Sequence, residues 1–140
     1  MLLVFLEVMQ SGRGLEIVKK PINGYGNVTM ANIAIIFGTD TGYTRKTAKM
    51  MAKSLGKVIV PNKPININRV SIDDFLTNDT FILGTPTYGE GVLPGIATGI
   101  EAGSWAEFLP QLSNDSLKGK MIALYGLGDQ KNTVIVMLMG

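Results

Sequence analysis

Three short apolar runs, each followed directly by glycine, set the pattern of this chain. They span residues 33–37, 80–83 and 121–125, and the glycines that follow them are Gly38, Gly84 and Gly126. Continuous apolar runs of this length are typical of strands that are buried on both faces of a parallel sheet. The pattern therefore predicts three central strands.

Helical spacing separates these runs. Apolar and small residues recur at every third or fourth position from Thr44 to Leu55, and Gly56 follows as a stop signal. Between the second and third runs, residues 104–107 form a capping box, Ser-Trp-Ala-Glu. A second helix is predicted there, and its apolar face would carry Trp105, Phe108, Leu109 and Leu112.

Two weaker signals lie between the first helix and the second strand. Residues 65–68 alternate in polarity after Pro64, which suits a half-exposed edge strand. Ser71 would then cap a short helix that carries Phe75 and Leu76. The alternation of strands and helices predicts an α/β fold with a doubly wound open parallel sheet.

The first 29 residues do not join this pattern, and we interpret residues 1–29 as an N-terminal extension. The apolar opening lacks a cationic leader and is too short to span a bilayer. A local hairpin is possible where residues 15–18 follow a Ser-Gly-Arg-Gly turn. The domain itself is expected at residues 30–130, and residues 131–140 form a separate tail.

Composition limits the chemistry of the chain. Its 140 residues suit one compact domain, and 46% of them are apolar. The sequence contains neither Cys nor His, which removes thiolate nucleophiles, imidazole acids and bases, and the usual zinc, haem and iron–sulfur ligands. Any redox chemistry would depend on an organic cofactor.

Charge is segregated along the chain rather than in large excess, since the net charge is only +2. Residues 45–69 hold seven bases and no acid, whereas residues 71–117 hold seven acids and no base. A nucleic-acid binder would instead cluster bases with aromatic side chains. We therefore expect no nucleic-acid partner.

Ligands of doubly wound sheets bind at the carboxyl ends of the strands, so the three loops after the strands are the candidate site. Residues 38–44, Gly-Thr-Asp-Thr-Gly-Tyr-Thr, place hydroxyls and flexible backbone at a helix start, as an anion cradle does. Their spacing fits neither a Walker A loop nor a dinucleotide fingerprint. Taken alone, the loop could equally be an ordinary threonine-rich helix cap.

Together the three loops resemble those of flavodoxins, in particular the bacterial short-chain flavodoxins of the nitrogen-fixation type. The similarity runs through ANIAIIFGTDTGYTRKTAKM, ILGTPTYGEGVLPG, SWAEFLPQL and ALYGLGDQ. It implies a flavodoxin-like sheet of strand order 2-1-3-4-5 that binds FMN. Here the fifth strand and the last helices would be missing, because the resemblance ends at Gln130.

The resemblance also implies a set of cofactor-binding residues, with no catalytic residue and no metal ligand. The FMN phosphate would lie against the first loop, the isoalloxazine ring beside the second with Tyr88 stacked on it, and the pyrimidine edge against the third. The three groups are Thr39, Asp40, Thr41, Gly42, Tyr43 and Thr44; Thr85, Pro86, Thr87, Tyr88 and Gly89; and Gly126, Leu127, Gly128 and Asp129. Tyr43 stands where relatives often carry Lys, and Tyr88 where they often carry an aliphatic residue.

The function implied is that of a low-potential, one-electron carrier with bound FMN, which is not an enzyme. Its partners would be a pyruvate- or pyridine-nucleotide-dependent reductase and an acceptor such as nitrogenase, in the cytoplasm and without a membrane. The tail after Gln130 lacks the expected aromatic residue and reads like a shifted frame. The alternative is therefore a non-functional truncated flavodoxin that does not retain FMN. A phospho-receiver is disfavoured, because Gly84 and Thr85 stand where it needs Asp.

Overall fold

A computed structural model of the chain describes residues 4–11, 14–21, 32–39, 42–86, 92–113 and 115–127. These residues form two sheets. The strands are β1 (Val4–Ser11), β2 (Gly14–Pro21), β3 (Ile33–Phe37), β4 (Ile65–Asn66), β5 (Thr80–Pro86) and β6 (Met121–Leu127). The α-helices are α1 (Tyr43–Leu55), α2 (Ile72–Leu76) and α3 (Trp105–Phe108).

The larger sheet has four parallel strands in the order β4-β3-β5-β6. Counted from the first strand of the domain this is 2-1-3-4, as the flavodoxin resemblance implies. The parallel α/β architecture predicted from the apolar runs is confirmed.

Side chains of β3 alternate between two buried clusters, one on each face of the sheet. Ile33, Ile35 and Phe37 pack on the face that α1 covers, with Met51 and Leu55 of the helix. The opposite face is aromatic, and Phe75 of α2 stacks on the ring of Phe81 at a centroid distance of 4.5 Å; Phe108 and Trp105 complete that cluster. Burial on both faces explains why the central strands read as unbroken apolar runs.

The predicted edge strand is shorter than expected. Only Ile65 and Asn66 form β4, and residues 67–69 turn into a 3-10 helix. The Asn66 side chain accepts a hydrogen bond from the backbone N–H of Asn68 at 3.2 Å, which favours the turn over an extended chain. Ser71 caps α2 as predicted, because its hydroxyl accepts from the N–H of Asp74 at 3.1 Å.

The second crossover helix is also shorter than its pattern predicted. α3 is one turn long, and a 3-10 turn over residues 109–111 continues it. Pro110 lacks an N–H to donate within a longer α-helix, and the chain turns more tightly here. Leu109, which the spacing placed on the apolar face of this helix, therefore has an exposed side chain.

The N-terminal strands form a separate antiparallel hairpin. β1 and β2 pair from Val4 opposite Pro21 to Ser11 opposite Gly14. The hairpin suggested by the turn residues is thus present and longer than residues 15–18. β2 runs beside α1.

Candidate functional site

The three predicted site loops begin side by side at the carboxyl edge of the sheet. Gly38 donates its N–H to the carbonyl of Gly84 at 2.9 Å, which joins the end of β3 to β5. In the next pair of strands, Thr85 lies opposite Gly126 and Pro86 opposite Leu127. The arrangement brings the first residues of all three loops to one edge, as the sequence predicted.

The first loop leads into the 13-residue helix α1 through a braced turn. Gly42 has a φ of 94°, a left-handed conformation that other residues rarely adopt, and its carbonyl accepts from the N–H of Lys46. The hydroxyl of Thr39 accepts from the N–H of Gly42 at 2.9 Å. The first turn of α1 carries no acidic residue, so nothing there opposes an anion at the positive end of the helix dipole.

The two side chains that begin α1 differ in environment. Thr44 is buried, whereas Tyr43 is 67% exposed. The exposed Tyr43 side chain points to solvent, so its backbone is the part of this residue that belongs to the helix start.

Trp105 joins the second loop to the opposite face of the sheet. Its indole N–H donates to the carbonyl of Gly84 at 2.8 Å, so this one carbonyl accepts from both Trp105 and Gly38. The interpretation of Trp105 as a core residue is confirmed, because its side chain is 4% exposed. The indole also supports the end of β5 that precedes the second loop, a role that helical spacing alone does not reveal.

Ser104 places a buried hydroxyl beside the first loop. A Cβ at Gly38 would lie 2.6 Å from the Ser104 Oγ and 2.8 Å from Cδ1 of Trp105, so the strand end approaches these side chains too closely for any residue but glycine. Glu107 accepts from the Ser104 N–H at 2.9 Å, which is one half of the predicted capping box. The Ser104 Oγ itself has no hydrogen-bond partner among the described residues.

Tyr125 is a site-edge residue that sequence reasoning did not single out. Its hydroxyl donates to the backbone carbonyl of Thr44 at 2.9 Å, and burial raises the pKa of that hydroxyl above its ordinary value. A Cβ at Gly84 would lie 2.0 Å from Cζ of this ring. The only signal in the sequence was a tyrosine at the end of the apolar run 121–125, directly before Gly126.

Part of the predicted site lies outside the described residues. This part comprises Asp40, Thr41, Thr87, Tyr88, Gly89, Gly128 and Asp129. Thr85 and Pro86, predicted to begin the second loop, are instead the last residues of β5, and the hydroxyl of Thr85 donates to the carbonyl of Pro86 at 3.0 Å.

Most charged side chains of the basic and the acidic segments reach the surface. All seven bases of residues 45–69 are exposed, and so are Asp73, Asp74, Asp79, Glu101 and Asp115. The described residues contain no cluster of carboxylates suited to a metal ion. Among the helices in the same part of the chain, none has the length and apolar character needed to cross a membrane.

Comparison with known proteins identifies the family. The sequence model of the Flavodoxin family matches residues 35–137, which is most of the chain and includes the first seven residues of the tail set apart above. The chain belongs to the flavodoxin family. Proteins of this family are FMN-containing electron-transfer proteins rather than enzymes.

Individual relatives agree with this assignment. A flavodoxin of Klebsiella pneumoniae is 56% identical over 102 residues, covering 73% of this chain and 57% of the relative. One from Enterobacter agglomerans is 46% identical over 103 residues, covering 74% and 57%. A Fusobacterium nucleatum flavodoxin mutant bound to flavin mononucleotide superposes with a TM-score of 0.56 at 30% identity, covering 72% of this chain and 53% of that structure. The chain thus spans little more than half the length of these three flavodoxins.

Proposed function

We propose that this chain binds FMN at the carboxyl edge of its parallel sheet and carries single electrons between redox proteins. One observation carries the proposal. The carbonyl of Gly84 accepts hydrogen bonds from both the Gly38 N–H and the Trp105 indole, which holds the strand ends before the first and second loops together. This junction holds the helix start of α1 and the root of the second loop at one edge of a flavodoxin sheet. Membership of the flavodoxin family supports the same reading.

The described residues at the start of α1 fit a phosphate. A helix N-terminus with no acidic residue in its first turn favours an anion, and Gly42 gives the backbone the sharp entry that brings N–H groups together. Thr39 braces the entry through Gly42, and Thr44 follows within the first turn. We therefore assign the phosphate to Thr39, Asp40, Thr41, Gly42, Tyr43 and Thr44.

The second and third loops are assigned to the flavin ring. Thr85, Pro86, Thr87, Tyr88 and Gly89 would flank the ring, and Gly126, Leu127, Gly128 and Asp129 would line its pyrimidine edge. The pairing of Thr85 with Gly126 supports this division, because it sets the roots of the two loops next to each other. When bound, FMN would supply the one-electron chemistry, for which a chain without Cys or His has no other evident source.

For partners, we propose a pyruvate- or pyridine-nucleotide-dependent reductase as donor and nitrogenase as acceptor, in the cytoplasm. The motif resemblance to the nitrogen-fixation type favours this acceptor. The exposed bases of residues 45–69 and the exposed acids of residues 71–117 would favour oriented docking, since charged surfaces orient proteins as they meet.

Reconstitution tests the proposal. The purified 140-residue chain should bind added FMN and acquire a protein-shifted flavin spectrum, and the photoreduced protein should then donate electrons to purified nitrogenase in an acetylene-reduction assay. Dithionite serves as the positive control for the acceptor. A chain that remains colourless after incubation with FMN would instead favour the alternative of a non-functional fragment.

If the FMN-loaded chain fails to reduce nitrogenase, the proposed carrier function stands and only nitrogenase is excluded as the acceptor. Reduction of a small dye by the same photoreduced protein would establish that it still donates electrons.

A further inference from the structure

Tyr125 is a buried phenol that links β6 to the start of α1. Its hydroxyl donates to the carbonyl of Thr44 at 2.9 Å, and the side chain is 2% exposed. The other buried members of its cluster are apolar. A phenylalanine would fill the same space, so packing alone does not explain the hydroxyl.

The Tyr125 ring passes over the neighbouring strand β5 to reach α1. β5 separates β6 from β3 in the sheet, and the ring of Tyr125 passes so close over Gly84 that a Cβ there would meet Cζ at 2.0 Å. Because Gly84 has no side chain, the Tyr125 ring can lie over β5 at this position. The same residue anchors the second loop through its carbonyl, so the phenol lies between two parts of the proposed site.

The accepting carbonyl belongs to the first turn of α1. Thr44 is the second residue of that helix, and its carbonyl points along the axis away from the N-terminal N–H groups. A hydrogen bond to it from the sheet limits how the first turn can shift or tilt. Those N–H groups are the donors that a phosphate at the helix start would use.

We propose that Tyr125 is a positioning residue whose hydroxyl fixes the first turn of α1 against the sheet so that this turn receives the phosphate of FMN. The inference rests on the proposed function. Burial keeps the hydroxyl protonated, because it raises the pKa of Tyr125 above its ordinary value, and the hydroxyl remains a donor at neutral and mildly alkaline pH.

The first test needs no flavin. Tyr125→Phe removes only the hydroxyl, and amide hydrogen exchange of the full chain should become about threefold to tenfold faster in the first two turns of α1, the range expected for one net hydrogen bond. Exchange near Leu55 and Gly56 should change less. Unchanged exchange at the start of α1 would overturn the proposed tether.

Lys120→Met is the matched control. Lys120 also lies at one end of β6 and bonds to backbone carbonyls, those of Leu76 and Asn78, but at the opposite edge of the sheet. This variant should leave the ratio of exchange rates between the two halves of α1 as it is in the unmodified chain. A change of that ratio as large as in Tyr125→Phe would reduce the effect to general destabilisation.

The second test compares FMN with riboflavin, which lacks the phosphate. Tyr125→Phe should weaken FMN binding by about threefold to tenfold and change riboflavin binding by less than about twofold, because the tether acts on the phosphate end. Equal losses for both flavins would contradict the positioning role. If the unmodified chain bound neither flavin, the proposed function would fail, and the exchange experiment alone would decide the tether.

Discussion

The two ends of the parallel sheet treat their buried polar groups differently. At the amino end, Lys120 is almost buried and its Nζ donates to the carbonyls of Leu76 and Asn78, with the carboxylate of Asp79 at 3.6 Å. At the carboxyl end, the Trp105 indole and the Tyr125 hydroxyl are paired with backbone carbonyls, but the buried Ser104 Oγ lacks a partner among the described residues.

This difference separates stability from binding. Buried polar groups are normally paired, because each unpaired one costs about 1 to 3 kcal/mol. The amino end follows this rule, because the nearly buried Lys120 donates to two backbone carbonyls there. The carboxyl end departs from it beside Gly38, where the flavodoxin site is proposed, and departures of this kind are expected where a ligand completes the structure.

The largest effect is expected from Gly84→Ala at the carboxyl end. The new methyl would lie about 2 Å from the Tyr125 ring, and overpacking of this degree should lower the free energy of unfolding by about 3 kcal/mol. Urea unfolding measures it. Gly99→Ala is the control. An alanine is strained at the φ of 95° found there, but its methyl would meet nothing within 4 Å, so a loss of about 1 kcal/mol in the free energy of unfolding is expected. Similar losses in both variants would show that Tyr125 does not block residue 84.

At the amino end, Lys120→Met should lower the free energy of unfolding by about 2 kcal/mol, because it leaves two carbonyls without their donor. The preference for FMN over riboflavin should not change. Chemical unfolding and flavin titration of the same preparation check both points. A shift in flavin preference would show that the two ends of the sheet are coupled.

Thr39→Val should act on binding more than on folding. It removes the hydroxyl that accepts from the Gly42 N–H, so the turn loses its brace and FMN binding should weaken by about 1 kcal/mol. Thr39→Ser should restore most of the loss, since it returns the acceptor. Isothermal titration with FMN measures the series. A serine variant as weak as the valine variant would mean that the methyl of Thr39, not its hydroxyl, matters.

The smallest effect is expected for Ser104→Ala. Removing a helix cap normally costs about 1 kcal/mol, but the Ser104 Oγ has no hydrogen-bond partner among the described residues, so the free energy of unfolding should not fall. Ser71→Ala, which removes a formed cap, should show the ordinary loss. If the two variants cost the same, the Ser104 hydroxyl is paired in solution.

The sequence predicted the sheet well because its strands are buried on both faces. Residues 33–37 form β3 without a change of bounds, and α1 begins one residue before the predicted Thr44. Errors fell where a local polar bond or a proline competes with the regular pattern, as at Asn66 and after Leu109.

The meeting of three strand ends at one edge of the sheet was predictable from the sequence, but the contacts that join them were not. Gly38 marks the end of β3, whereas β5 and β6 continue past Gly84 and Gly126 to Pro86 and Leu127. Threonines at a helix start predict an anion site. The bonds from Trp105 to Gly84 and from Tyr125 to Thr44 join residues 21 and 81 positions apart in sequence, and no spacing rule encodes such contacts. Only the folded sheet brings them together.

A titration of the unmodified chain with FMN and with riboflavin tests directly whether the start of α1 holds the flavin phosphate; binding is followed by quenching of the fluorescence of Trp105, the only tryptophan of the chain. With the phosphate held at the start of α1, FMN should bind at least about tenfold more tightly than riboflavin, since charge-assisted hydrogen bonds contribute more than 1.4 kcal/mol. Equal affinity for the two flavins, or no binding of either, would contradict the account.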